Sequence, residues 1–200
     1  MKFATLAAFI LSALLSSGCA SKYMEPVTHD AATGQLGAGQ SAVVFFRDTS
    51  FGGGIQAPVA EGVAGDVAFI GIVSANTKLL HKTTPGEHVY VVGGEGSNLL
   101  FANLEPQKFY YVRVSPKMGV FKARFKFEPV SPVQGEKLQE LAGDLAGCGW
   151  VTPNRLSQDW FADNKISIRE KLEDALKKDR EGESDRAVVN ARDGIATLLQ

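Results

Sequence analysis

The stretch Thr77–Val92 constrains the fold of this chain more than any other, because it consists of two β-rich runs separated by Pro85-Gly86. Proline presets φ for the first central position of a tight turn, and glycine accepts the positive φ of the second. The pair therefore predicts a β-hairpin in which His81 faces Tyr90. Because side chains alternate along a strand, we expect one face of this hairpin to carry Leu79, His81, Thr83, His88, Tyr90 and Val92. A lone hairpin is marginally stable in water, so this one needs neighbouring strands and a second layer.

Further short β-rich runs fill residues 41–131, and turn residues separate them without an intervening helical pattern. About seven such strands with turn signals every 8–12 residues are typical of an antiparallel sandwich. We therefore predict a mainly β domain with an immunoglobulin-like or transthyretin-like sandwich. Its glycine-rich segment Ser50–Asp66 holds at best one short strand, around Ala57–Glu61, and Gly71 marks a predicted bulge in the next strand.

Residues 132–200 have a different pattern and predict a helical C-terminal appendage. Apolar residues recur there at helical spacing, as in Leu138, Leu141 and Leu145, and again in Ile168 and Leu172. Stripes of this kind usually pack on the same molecule, and docking of the helices on a partner is the alternative.

The first residues of the chain predict a secretion signal. Lys2 precedes Phe3–Leu15, an unbroken run of small and apolar residues that is too short to cross a hydrocarbon core of ~30 Å and suits a signal peptide. The run ends in Leu15-Ser16-Ser17-Gly18-Cys19, which resembles the lipobox of bacterial lipoproteins, although Ser16 stands where the family favours leucine. The alternative is an ordinary secretory signal that is cleaved near Ala20.

The lipobox resemblance implies that residues 1–18 are removed and that Cys19 becomes a lipidated first residue. Diacylglycerol on its sulfur, together with palmitate, would anchor the protein stably, because two or three acyl chains bind a membrane firmly whereas one binds it only marginally. Ala20-Ser21 lacks the aspartate that retains such proteins at the inner membrane, so we expect a periplasm-facing outer-membrane address. Residues 19–40 have little apolar periodicity and predict a flexible tether.

The charge of the chain argues against nucleic acid as a partner. Its formal net charge is −1, from 21 basic and 22 acidic residues, and no basic block stands out. An envelope protein or peptidoglycan is the partner class that fits the predicted address. The apolar content of 44% is typical of one globular domain.

Candidate chemistry is sparse. His81, His88 and Glu87 are the only grouping that resembles metal ligands, but alternation places Glu87 on the opposite face from the two histidines. The structural interpretation has His88 hydrogen-bonded near the turn and His81 packed beside Tyr90. Because no second cluster completes a zinc site, we assign no metal ligand.

No catalytic residue is assigned, because no nucleophile elbow of the Gly-x-Ser-x-Gly type occurs. Cys148 is either a small buried side chain at a helix break or a thiol that needs a nearby histidine. The aromatic residues Phe101, Phe109, Tyr110 and Tyr111 form either a sugar-stacking surface or core. We expect no cofactor.

Pro85-Gly86-Glu87-His88, followed after two turns by Tyr110-Tyr111-Val112-Arg113-Val114, resembles one family. It is the bacterial lipoprotein group with domain of unknown function 2846, an immunoglobulin-like or PEGA-like β module. The resemblance covers about residues 41–130, and the glycine-rich Ser50–Asp66 departs from it. It implies a fold and an envelope address, and no active site.

The sequence therefore predicts a lipid-anchored envelope protein that is a non-catalytic binding or scaffolding module. One alternative is an envelope-polymer hydrolase or a metal-dependent enzyme. Another is a structural lipoprotein that self-associates through its helices and loses that property on truncation after Pro132.

Overall fold

The computed structural model describes residues 21–93, 97–117, 124–131, 135–184 and 186–199. The fold in these ranges is mainly β, a sandwich of two mixed sheets with a long C-terminal helix, which confirms the predicted class. The strands are β1 (Met24–Pro26), β2 (Ser41–Arg47), β3 (Ala57–Val63), β4 (Asp66–Val73), β5 (Thr77–Thr83), β6 (Gly86–Val92), β7 (Asn98–Leu104), β8 (Phe109–Lys117), β9 (Arg124–Val130), β10 (Gly149–Pro153) and β11 (Ala187–Val189). The helices are α1 (His29–Thr33), α2 (Gly135–Ala146), α3 (Arg155–Arg180) and a short 3-10 helix (Ala191–Asp193).

One sheet has six strands in the order β1-β10-β5-β2-β8-β9, and the other has five in the order β11-β7-β6-β3-β4. The pairs β10–β5, β2–β8 and β11–β7 are parallel, so the sheets are mixed where purely antiparallel sheets were expected. A parallel neighbour cannot be joined by a tight turn and has to arrive by a long connection. Five strands intervene in the chain between β2 and β8. The pairing of strands so far apart cannot be recognised from a local sequence pattern.

The hairpin predicted at Pro85-Gly86 is wrong. β5 pairs with β2 and β10, and β6 pairs with β3 and β7, so the two runs lie in opposite sheets. Gly86 does adopt a positive φ, of 122°. The turn residues therefore mark a change of direction correctly, but this change carries the chain from one sheet to the other.

The core between the sheets contains the face that alternation had grouped together. Leu79 of β5 and Tyr90 and Val92 of β6 are buried in it, and Phe45 of β2 meets Tyr90 edge to face at a centroid distance of 5.4 Å. Each such side chain contributes about 1.5–3 kcal/mol on full burial. The sandwich therefore rests on the apolar contact between β2 and β5 on one side and β6 on the other.

The two longer helices cover the outer faces of the sheets. Leu141 and Leu145 of α2 pack with Val44 and Phe46 of the six-stranded sheet. α3 covers the five-stranded sheet in the same way, through Ile168, Leu172 and Ala175. Asn154 caps α3, because its side chain accepts a hydrogen bond from the Ser157 amide at 3.1 Å. The apolar stripes thus pack on the same molecule.

The prediction of a flexible tether over residues 19–40 is wrong for the part that forms β1 and α1. β1 pairs antiparallel with β10, Met24 is only 4% exposed within the central core, and the Val27 amide donates to the Trp150 carbonyl at 3.0 Å. The partner strand β10 lies in the region 132–200 that was predicted to be helical. That region contributes β10 and β11 to the two sheets as well as α2 and α3.

Strand β4 contains a bulge beside Gly71. Val59 pairs with Gly71 and Ala60 with Phe69, so the strand bulges beside Gly71 as predicted. A Cβ on Gly71 would lie 2.8 Å from Leu79, which explains why this position is a glycine.

No helix among the described residues is long and apolar enough to cross a membrane.

Replacement of Met24 tests whether β1 is part of the folded domain. We expect Met24→Ala to lower the free energy of unfolding by about 3 kcal/mol, because it empties a buried site in the core. Urea denaturation of the mature domain measures the change. Glu25→Ala, at the adjacent exposed position, is the control and should shift stability by less than about 0.5 kcal/mol. Equal stability of the two variants would contradict the packed N-terminus.

Candidate functional site

Cys19, the predicted lipidation site, lies outside the described residues, and its modification stays a prediction. Ser21 is the first described residue, and its carbonyl accepts a hydrogen bond from the Met24 amide at 3.1 Å. The chain is therefore folded from the second residue after the predicted anchor.

Three ionisable side chains meet between the sheets. Glu61 of β3 contacts His81 of β5 through Oε2 and Nε2 at 3.0 Å, and His88 of β6 through Oε1 and Nδ1 at 2.5 Å. His88 Nε2 also lies 2.8 Å from the Thr84 carbonyl oxygen. Because β5 belongs to one sheet and β3 and β6 to the other, this cluster links the two sheets at a polar position in an otherwise apolar interior.

The two ring nitrogens of His88 face different hydrogen-bond partners. A carbonyl oxygen only accepts, so Nε2 donates its proton to Thr84. Nδ1 faces a carboxylate oxygen, which accepts as long as Glu61 is ionised. The hydrogen bond between His88 and Glu61 then has an ionised acceptor, and such a bond is stronger than one between two neutral groups.

The pKa of Glu61 reflects this environment. Burial raises the pKa of the carboxyl group, but the hydrogen bonds from His81 and His88 outweigh burial, and the net pKa lies below its ordinary value of 4.5. Tyr90 packs against both imidazoles, parallel to His88 at 6.0 Å and edge-on to His81 at 5.8 Å. Burial, together with the nearby charge of Glu61, raises the pKa of the Tyr90 hydroxyl.

The structure brings together the two histidines that the sequence singled out, and it places a different carboxylate beside them. Glu87 is exposed on the opposite face, as alternation predicted, and Glu61 takes its place. The missed signal was present in β3, because Val59 and Glu61 share a face and Val59 is in the core. Within the described ranges, no group of three or more His, Cys, Asp or Glu side chains could hold a metal ion.

A cavity of about 210 Å³ lies between α3 and the five-stranded sheet. Its apolar lining includes Pro58, Phe69, Val91, Trp160, Phe161 and Ile168, and its polar lining includes Gln56, Asn164 and Lys171. Phe69 and Phe161 stack at a centroid distance of 4.9 Å and form one wall. An apolar cavity of roughly 150 Å³ is large enough to bind benzene, so this cavity has room for one ring or a short aliphatic group.

The other candidate residues are part of the core. Cys148 is buried, its Sγ lies 3.4 Å from the Asp144 carbonyl oxygen, and burial raises the pKa of its thiol to about 11. It is therefore a protonated thiol at neutral pH, which is a poor nucleophile. Tyr110 and Tyr111 are fully buried, so they form no sugar-stacking surface.

Comparison of the chain with known protein families, curated proteins and solved structures finds no match. The resemblance to the lipoprotein group with domain of unknown function 2846 stays a prediction from the sequence.

Substitution of Glu61 tests the cluster. We expect Glu61→Gln to lower the free energy of unfolding by about 2 kcal/mol at pH 7, because it replaces the charged acceptor of the hydrogen bonds with His81 and His88 by a neutral amide. The pKa of Glu61 is lowered in the folded state, so its contribution is present above pH 4.5 and is lost as the pH falls through the folded-state value. Denaturation of wild type and variant between pH 3 and pH 7 measures it, and the two curves should converge at the acid end.

Glu87→Gln is the matched control, because it makes the same chemical change on an exposed side chain of the neighbouring strand β6. Its effect should stay below about 0.5 kcal/mol at every pH. A Glu61→Gln penalty that does not depend on pH would contradict the ion-pair description.

Proposed function

We propose that this protein is a lipid-anchored, non-catalytic binding module of the cell envelope that faces the periplasm from the outer membrane. The observation that carries the binding function is the cavity walled by Trp160 and Phe161 of α3 over the five-stranded sheet. Ligand sites are typically concave and mostly apolar, with a few polar groups that fix orientation. This cavity has that composition.

The size of the cavity limits what it binds. At about 210 Å³ it lies below the range of roughly 300–1,000 Å³ that is typical of sites for drug-sized molecules. It fits a single aromatic or aliphatic group that a larger partner presents, and an envelope protein supplies such a group as a side chain. Affinity for such a partner would depend on this buried group more than on contact area.

The envelope address rests on the lipobox-like sequence at Cys19. Intact mass measurement of the mature protein from its own membranes tests it. We expect a chain that begins at Cys19 and carries diacylglycerol and palmitate, and we expect Cys19→Ser to move the protein from the membrane fraction to the soluble fraction. An unmodified chain that begins after Cys19 would contradict the anchor.

Site-specific photocrosslinking tests the cavity. Ser167 lines the cavity from an exposed position of α3, so a benzoylphenylalanine in its place reaches an occupant without disturbing the core. In the native envelope we expect irradiation to yield one adduct of discrete mass. Mass spectrometry of the adduct identifies the partner.

Ala162 provides the control position, because it is exposed on the same helix and lies outside the cavity lining. Benzoylphenylalanine at Ala162 should give no such adduct. Equal yields at the two positions, or none at Ser167, would contradict the binding site.

The alternative of an envelope-polymer hydrolase or a metal-dependent enzyme has less support, because the described part of the chain contains no group of three or more His, Cys, Asp or Glu side chains that could hold a metal ion. Stoichiometric zinc in the purified protein that is lost in both His81→Ala and His88→Ala would favour this alternative. The alternative of self-association through the helices has less support, because the apolar stripes of α2 and α3 are covered by the sheets of the same chain.

A further inference from the structure

The first described residues of the chain are attached firmly to one corner of the domain. Asn154 Nδ2 donates a hydrogen bond to the Lys22 carbonyl at 2.9 Å, and the Tyr23 ring lies 6.4 Å from the ring of Trp160. Met24 then enters the core. The position of Ser21 relative to the rest of the domain is therefore set by contacts with α3 and with the central core.

This attachment limits the distance between the predicted anchor and the domain. Cys19 precedes Ser21 by two residues, and an extended chain spans at most about 3.6 Å per residue. The α-carbons of Cys19 and Ser21 are therefore no more than about 7 Å apart. If Cys19 carries acyl chains, as proposed above, the corner of the domain around Ser21 lies against the lipid headgroups.

Exposed apolar side chains surround this corner. Leu156 is 52% exposed and lies one helical turn before Trp160, so the two side chains are neighbours on α3. Ile55 is 42% exposed and lines a shallow depression together with Tyr23 and Trp160. These four side chains form a contiguous apolar strip beside the start of the chain.

A buried arginine holds the loop that carries Ile55. Arg47 is fully buried and donates to the carbonyl oxygens of Ile55, at 2.8 Å, and of Phe51. The loop is thus fixed at both residues while the Phe51 side chain remains 58% exposed. An ordered loop that presents two large apolar side chains to the outside is suited to contact with an apolar environment.

We propose that Tyr23, Ile55, Leu156 and Trp160 form a docking patch that lies on the lipid surface beside the acylated Cys19. The inference rests on the proposed anchor and adds the orientation of the domain. Tyrosine and tryptophan are enriched at the level of the headgroups, and leucine, isoleucine and phenylalanine enter the acyl boundary. A lipid surface is the occupant that the short connection to Cys19 brings to this patch in every molecule.

The two tryptophans of the chain allow a direct test. The lipidated full-length protein is reconstituted in vesicles of phosphatidylethanolamine and phosphatidylglycerol whose acyl chains carry bromine, which quenches tryptophan on contact. Trp150→Phe leaves Trp160 as the only emitter, and we expect it to lose at least about half of its fluorescence because it lies in the interface. Trp160→Phe leaves Trp150, which is buried under α2 and α1, and its emission should hardly change.

Paired substitutions locate the contact. In the Trp150→Phe background, Ile55→Glu with Leu156→Glu should reduce the quenching of Trp160, because charged side chains resist entry into the acyl boundary. Ile166→Glu is the control, because Ile166 is 65% exposed on the same helix. It lies about 15 Å from Leu156 along the helix axis. This substitution should leave the quenching unchanged.

Mass measurement on the same preparation separates the two proposals. Protein that carries lipid at Cys19 but shows no quenching of Trp160 overturns the docking patch and leaves the anchor standing. Absence of lipid at Cys19 overturns both. Unquenched Trp160 in a dimer on the vesicles would show that a second copy covers the patch, which also overturns lipid docking.

Discussion

The packing of β5 against β6 across the interior of the sandwich is the contact on which the rest of the structure depends. The two strands are consecutive in the chain, yet the corner at Gly86 directs them into opposite sheets. Leu79 and Tyr90 can then share one core, and His81 and His88 can reach Glu61 from both sides. A single buried charge without a partner would be costly. Two histidines and a carboxylate are tolerated in this interior because they form hydrogen bonds with one another.

The sequence predicts the faces of the strands better than their partners. Alternation over Thr77–Val92 correctly groups Leu79, Tyr90 and Val92, because the pleat of a strand is a local property. The predicted pairing of β5 with β6 is wrong because the turn residues specify that the chain reverses direction and do not specify which strand becomes the hydrogen-bonded neighbour. Seven residue pairs join β5 to β2, and seven join β6 to β7, and these contacts between strands settle the topology. Glu61 was missed for the same reason, since its histidine partners come from two other strands.

Completion of the sheets by the C-terminal region explains why the N-terminal segment was misjudged. β10 follows α2 and enters the six-stranded sheet between β5 and β1, so β1 has a place only once β10 is present. The short segment around Met24 has too few apolar residues to show a periodicity of its own. Its burial comes from a strand more than a hundred residues later in the chain. The segment around Met24 and the C-terminal region therefore stabilise each other.

The segment that was predicted to be a flexible tether is folded, and this limits the kind of partner that the protein can reach. A flexible linker of about 20 residues has an end-to-end distance of roughly 25 Å, and it would let the domain sample many heights and orientations above a bilayer. With the chain fixed from Ser21 onward, an acylated Cys19 would hold Trp160 close to the lipid surface in one orientation. The cavity lined by Trp160 and Phe161 would then open near the headgroups. A partner would have to present its apolar group at that level, which favours a membrane-proximal segment of an envelope protein over a polymer that lies further from the bilayer.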